Sequence, residues 1–112
     1  MSLNILAVDD SRTMRDMVRL ALGAAGMTVT TADDGVHGLE VLEGMAPDAI
    51  ISDINMPRLD GFGFIRAVRA IERMRGVPIL VLTTESAPEL KARAREAGAT
   101  GWIVKPFDPG KL

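Results

Sequence analysis

The chain contains no cysteine, which removes disulfides, thiolate nucleophiles and cysteine metal sites and suits a reducing compartment. Its one histidine, His37, has no second ligand at metal spacing nearby and reads as a surface residue. Charge of one sign is also lacking. Lys plus Arg number 13 against 15 Asp plus Glu, a net charge of -2, so no basic field favours direct contact with nucleic acid. No segment approaches the ~18 apolar residues of a membrane span. The amino terminus lacks the basic region and apolar stretch of a secretory leader, and repeats, low-complexity tracts and linkers are absent. These absences predict a cytoplasmic protein with no membrane insertion. With 112 residues, 47% of them hydrophobic and 25% charged, residues 1–112 make one domain with a real core and no room for a second.

What is present is a succession of short apolar or β-branched runs separated by helical patterns. Leu3 to Val8 ends in Asp9-Asp10, and Ala49-Ile50-Ile51 leads through Ser52 to Asp53. Neither run alternates apolar with polar residues, as expected of parallel strands covered on both faces. Thr28 to Ala32, Val77 to Leu82 and Trp102 to Val104 supply three further strands. Between them, Met14, Met17, Val18, Ala21, Leu22 and Ala25 recur at helical spacing with Ser11 as cap, while Arg12, Arg15, Asp16 and Arg19 take the outer face. Asp33-Asp34-Gly35 opens a second helix with Val36, Leu39 and Leu42 inward. Phe64, Ile65, Val68 and Ile71 form the inner stripe of a third, with Arg66, Arg69, Glu72 and Arg73 outward. A fourth runs from Ala87 to Ala97 with Ser86 as cap, and Leu90 is its one large apolar residue. So thin an inner face predicts a weakly held helix.

Alternating strands and helices with short connections predict an α/β fold, a doubly wound five-stranded parallel sheet in the flavodoxin-like order 2-1-3-4-5. That order puts the first and third strands side by side, so Asp9, Asp10 and Asp53 meet at the point where the winding reverses, the usual ligand crevice of such sheets. Three carboxylates there repel one another unless a cation joins them, and hard oxygen donors favour Mg²⁺. Thr83-Thr84-Glu85 and Lys105 arrive at the same rim from the fourth and fifth strands. A carboxylate nucleophile, a divalent cation, a hydroxyl and an ammonium are what phosphoryl transfer needs, which makes Asp53 the candidate for an aspartyl phosphate.

Taken together, Val8-Asp9-Asp10-Ser11, Asp53-Ile54-Asn55-Met56-Pro57 with Asp60-Gly61, Thr83-Thr84-Glu85 and Lys105-Pro106-Phe107 resemble the response-regulator receiver domains of two-component signalling, and within them the CheY-like chemotaxis type. The resemblance implies that Asp9, Asp10, Asp53 and the backbone carbonyl of Asn55 hold Mg²⁺ and that Asp53 accepts phosphate from a histidine kinase. It further implies that Thr83, Thr84 and Lys105 line the phosphoryl group, and that Thr83 and Trp102 form the switch, with Trp where the family usually has Tyr or Phe. Asn55 and Glu85 would tune dephosphorylation, with a phosphorylated state lasting seconds to minutes. Lys105-Pro106 would be the family's cis peptide. Phosphorylation would alter the surface around the fourth helix and fifth strand and so the binding of a downstream target such as a flagellar motor switch. Such a domain is not a turnover enzyme on external substrates.

The family's fifth helix is largely missing from the chain, since only Gly110, Lys111 and Leu112 follow Asp108-Pro109. Its loss predicts a bare apolar face and self-association. Two other classes share the architecture. A flavin binder needs a hydroxyl-rich anion loop where Asp9-Asp10 would repel the phosphate. A haloacid-dehalogenase-like phosphatase needs a second Asp where this chain has Asn55. A receiver cut from a DNA-binding regulator is the alternative within the family.

Overall fold

Ile5, Leu6, Ala7 and Val8 are each at most 5% exposed, because both faces of the strand they form are covered. The computed structural model describes residues 3–105. Strands β1 (Asn4–Val8), β2 (Thr28–Ala32), β3 (Ala49–Ser52), β4 (Ile79–Thr83) and β5 (Gly101–Val104) pair in parallel in the order β2-β1-β3-β4-β5. Helices α1 (Arg12–Ala24), α2 (Gly35–Leu42), α3 (Gly61–Ala70) and α4 (Pro88–Ala97) connect them, with a short 3-10 turn at Glu72–Met74. The period of two along a strand divides the core. Leu6, Val8, Ile50, Ile79 and Val81 pack with Phe64 and Ile65 on one face, and Ile5, Ala7, Ile51 and Leu82 pack with Val18 and Leu22 of α1 on the other.

Three helices begin directly after a strand's carboxyl end or its loop, each with a side-chain cap satisfying an amide that has no partner within the helix. Ser11 Oγ accepts from Met14 N at 3.3 Å, Asp34 Oδ1 from His37 N at 2.8 Å, and Asp60 Oδ1 from Gly63 N at 2.8 Å. Helix α4 differs from expectation. Its cap position is Ala87, not Ser86, and carries no side-chain hydrogen bond; Pro88 fixes the first turn and Gly98, at φ 118°, ends it. Only Ala94 and Ala97 of that helix are buried, in agreement with its thin apolar stripe. Arg93 lays its guanidinium 4.1 Å over the Phe62 ring, a contact joining α4 to α3.

Several sequence expectations need correction. In α1, Met17 is 44% exposed and Ala25 is exposed as well, because Val18 and Leu22, one turn apart, define the face toward the sheet and Met17 lies about 100° away from Val18. Arg15 and Arg69 are not free surface residues. Arg15 Nη1 donates to the Asp9 carbonyl at 2.7 Å, and Arg69 donates to the carbonyls of Gly98 at 2.9 Å and Met74 at 2.8 Å. Strand β4 starts at Ile79 and runs through Thr83, later than the Val77 start its apolar run suggested. The fifth-helix and Lys105-Pro106 expectations lie outside the described residues.

Candidate functional site

Register builds the site. Val8 pairs with Ser52 across β1 and β3, and Asp53 N donates to the Val8 carbonyl at 3.0 Å, so Asp9 and Asp53 leave adjacent strands at the same level. Thr83 pairs with Val104, and Lys105 N donates to the Thr83 carbonyl at 2.7 Å. The ends of β1, β3 and β5 therefore deliver their next residues, Asp9, Asp53 and Lys105, to one rim. Asp9, Asp10 and Asp53 each offer an oxygen within 4.8 Å of the others. Lys105 Nζ reaches between two of them, donating to Asp9 Oδ2 at 2.8 Å and Asp53 Oδ2 at 2.9 Å.

The surrounding atoms fix which carboxylate oxygens are occupied. Asp53 Oδ1 accepts from Ile54 N at 2.6 Å and more distantly from Asn55 N at 3.4 Å, while its carbonyl accepts from the buried Ser52 hydroxyl at 2.8 Å. A Cβ on Gly61 would collide with the Asp53 carbonyl and Ile54 Cα, so glycine there lets α3 start against the backbone of the nucleophile candidate. Asp9 Oδ1 accepts from Ser11 N at 2.9 Å. Asp10 stays exposed at the mouth.

Burial is the dominant influence on Asp9 and lifts its carboxyl above the ordinary range, against the opposing hydrogen bonds of Lys105 and Ser11. Burial alone would depress Lys105, but the hydrogen bonds to Asp9 and Asp53 together hold its ammonium above the ordinary lysine value. One lysine thus compensates the rim incompletely. Three close carboxylates, one of them ionised at a cost, are a donor set that a hard divalent cation fits, and the three could hold a metal.

The remaining sequence candidates form a second layer. Thr83 is fully buried, and its Oγ accepts from Glu85 N at 3.4 Å; Thr84 is exposed. Asn55 Nδ2 donates to Glu85 Oε1 at 3.3 Å, so these two side chains meet across the mouth. Trp102 lacks a phenolic hydroxyl, yet its indole Nε1 donates to the Glu85 carbonyl at 3.0 Å, tying β5 to the segment that follows Thr83. Trp102 also borders a cavity shared with Lys91, Arg95 and Thr100, whose lining includes none of the carboxylates.

Sequence reasoning missed Arg15 and the pair Asp34 and Arg58. Arg58 donates from Nε to Asp34 Oδ2 at 2.6 Å and from Nη2 to Oδ1 at 3.0 Å. The Arg58 hydrogen bond, then the His37 amide, hold the Asp34 carboxyl below the usual range. These partners are 24 residues apart, so no local spacing pointed to them.

The family model described as the response regulator receiver domain matches residues 5–112. The chain is 41% identical over 106 residues to Chemotaxis protein CheY of Pseudomonas aeruginosa, covering 94% of this chain and 86% of that protein. It is 41% identical over 107 residues to Response regulator MprA of Mycobacterium ulcerans, covering 96% of this chain but 45% of that protein's length. The solved structure of chemotaxis response regulator CheY4 of Vibrio cholerae matches with a TM-score of 0.94 at 47% identity, over 98% of this chain and 92% of that one. A receiver domain of a sensor histidine kinase from Pseudomonas aeruginosa, described with a magnesium ion coordinated in its active-site cleft, matches with a TM-score of 0.91 at 31% identity, over 100% of this chain and 92% of that one.

Proposed function

This chain belongs to the response regulator receiver domain family, and from that premise we propose that it is a magnesium-dependent phospho-acceptor of the chemotaxis type, phosphorylated on Asp53 by a histidine kinase. The observation that supports this reading best is Lys105 bridging Asp9 and Asp53, since it joins the proposed nucleophile, the proposed cation site and the proposed phosphate-binding ammonium. Asp9, Asp10, Asp53 and the Asn55 carbonyl would hold the Mg²⁺ ion. When bound, the ion supplies charge compensation for the phosphoryl oxygens.

Asp53 Oδ1 is engaged by the Ile54 amide, which leaves Oδ2, held among the described residues by the Lys105 ammonium, as the attacking oxygen. Attack forms the bond from Oδ2 to phosphorus as the bond from phosphorus to the donor's imidazole nitrogen breaks, and the leaving imidazole takes up a proton. Lys105 then transfers its hydrogen bond from Asp53 to a phosphoryl oxygen. Thr83 turns its hydroxyl from the Glu85 amide toward another, with Thr84 at the mouth. Phosphorylation replaces the Asp53 carboxylate, of charge -1, by an acyl phosphate of about -1.5 to -2 at neutral pH with three further acceptor oxygens, which only the rearranged Thr83 and Lys105 satisfy, and this differential contact is what shifts the population.

Because Glu85 is held by Trp102 through its carbonyl and by Asn55 through its carboxylate, movement of Thr83 reaches the β5 and α4 surface along one hydrogen-bonded path. That surface is the proposed docking face for a downstream target such as a motor switch. Asn55 and Glu85 flank the path of attacking water and set a phosphorylated lifetime of seconds to minutes. Work in the cytoplasm beside a kinase fits the cysteine-free composition. A second reading, a receiver within a longer regulator, is favoured by the equal identity to MprA, of which the chain spans 45%.

Phosphotransfer tests the proposal. A phosphorylated kinase domain should lose its label to this chain within seconds in Mg²⁺ and retain it in a chelator. Label that stays on the kinase in both conditions contradicts the proposal.

A further inference from the structure

Arg58 is the non-glycine residue with positive φ among the described residues, at 64°. Leu59 N donates to the Pro57 carbonyl across it at 2.7 Å, and a three-residue turn closed over a positive φ is rare and strained for an L side chain. Such strain persists only where the surroundings over-determine it, and it collects where geometry serves function. Two anchors do so here. The guanidinium takes both oxygens of Asp34, at 2.6 and 3.0 Å, in the forked arrangement that lysine cannot reproduce. Leu59 lies so close to α2 that a Cβ on Gly35 would stand 2.6 Å from its carbonyl.

Asp34 is a fixed post. It is 5% exposed, and its Oδ1 also accepts the His37 amide that starts α2. The clamped segment is the one leaving Asp53. Its base is closed by Gly61 N donating to the Ile54 carbonyl at 2.9 Å, its far end by Arg58, and Asn55 lies between. Since Asp34 neutralises the guanidinium, the clamp brings no uncompensated positive charge toward the carboxylate rim.

We propose that Arg58 is a positioning residue for the cation site: by pinning the strained turn to Asp34 it sets where the Asn55 backbone carbonyl stands relative to Asp9 and Asp53. The inference rests on the reading of that rim as a Mg²⁺ site. Groups that orient metal ligands without touching the metal commonly change affinity by ten- to a hundredfold.

The test is calorimetric Mg²⁺ titration of the full chain and of R58A, R58G, R58K and D34N, with thermal unfolding of each in chelator. R58A and R58G should bind Mg²⁺ about tenfold more weakly, and R58K should fall between them and the native chain. D34N keeps an acceptor for the His37 amide but loses the charged fork, and should match R58A; R58A combined with D34N, titrated likewise, should be no worse than either alone. Glycine relieves the positive φ, so R58G should unfold at or above the temperature of R58A while binding Mg²⁺ as poorly. A merely structural role would not separate the two readouts. Native affinity in R58A and R58G, or affinity that recovers with stability in R58G, overturns the inference alone. A native chain that takes up no Mg²⁺ overturns it together with the proposed function.

Discussion

Lys105 Nζ lies 2.9 Å from Asp53 Oδ2, so the edge strand of the sheet delivers its cation onto the carboxylate of the central one. The same ammonium touches Asp9, and the three side chains are only 7 to 11% exposed. Removing one partner of a buried ion pair costs about 3–5 kcal/mol. Lys105→Met should lose on the order of 3 kcal/mol in urea unfolding without divalent ions, and Mg²⁺ should restore part of it. The pH dependence has a definite sign. Lys105 titrates above 10.5 in the folded chain, so its stabilisation is full below that value and is lost as pH rises through the folded value. K105M should lack this alkaline loss; unchanged stability in the variant contradicts the bridging role.

Asp9 shares that sign at lower pH, from a different cause. Burial raises its folded pKa above 3.8, so its contribution is most favourable at acid pH and is lost as pH rises through the folded value. The ionised Asp9 carboxylate is therefore a standing cost at neutral pH. Asp9→Asn should raise stability in chelator by about 1 kcal/mol, roughly 4 °C in Tm, while weakening Mg²⁺ binding. A variant less stable than the native chain in chelator would show that the carboxylate pays no such cost.

Trp102 is the sole tryptophan, and its Nε1 is hydrogen-bonded to the Glu85 carbonyl. Any rearrangement of the segment after Thr83 must alter that bond. Acetyl phosphate with Mg²⁺ should change the intensity or wavelength of its fluorescence in the native chain and leave D53N unchanged. An identical response in both proteins would disconnect Trp102 from Asp53.

Two glycines give a contrasting pair for packing. A Cβ on Gly38 would stand 2.8 Å from Phe64 Cε1 and 3.2 Å from Val8 Cγ2, and overpacking of this kind costs about 1–3 kcal/mol. A Cβ on Gly23, within α1, meets nothing within 4 Å, so alanine there should stabilise by roughly 0.5–1 kcal/mol. Thermal unfolding should move in opposite directions for G38A and G23A; a shift in the same direction contradicts the packing of α2 on α3.

The sheet order and the rim were legible because they follow from patterns that survive in one dimension. Unalternating runs such as Leu6 to Val8 announced strands covered on both faces, and each ended on the residue the site uses. Register then did the rest: Val8 opposite Ser52 makes the meeting of Asp9 and Asp53 unavoidable. What was not legible depends on distances along the chain that no period encodes. Arg58 reaches Asp34 across 24 residues and drew no notice in the sequence, and Arg69, which reaches Gly98 across 29, read as an outward-facing arginine. Gly61 entered the sequence reading only as part of the motif around Asp53, whereas it is the position that allows α3 to touch the Asp53 backbone. Met17 failed for a simpler reason. An apolar stripe locates a helix face only to within a residue or so, and the sheet decides which members it covers.

Intact mass spectrometry after incubation with Mg²⁺ and acetyl phosphate tests the central claim most directly, with the native chain and Asp53→Asn measured side by side. The account predicts a gain of one phosphoryl group on the native chain, none on the variant, and none on either in chelator. A native chain that gains nothing, or a variant that gains the group equally, would contradict Asp53 as the acceptor.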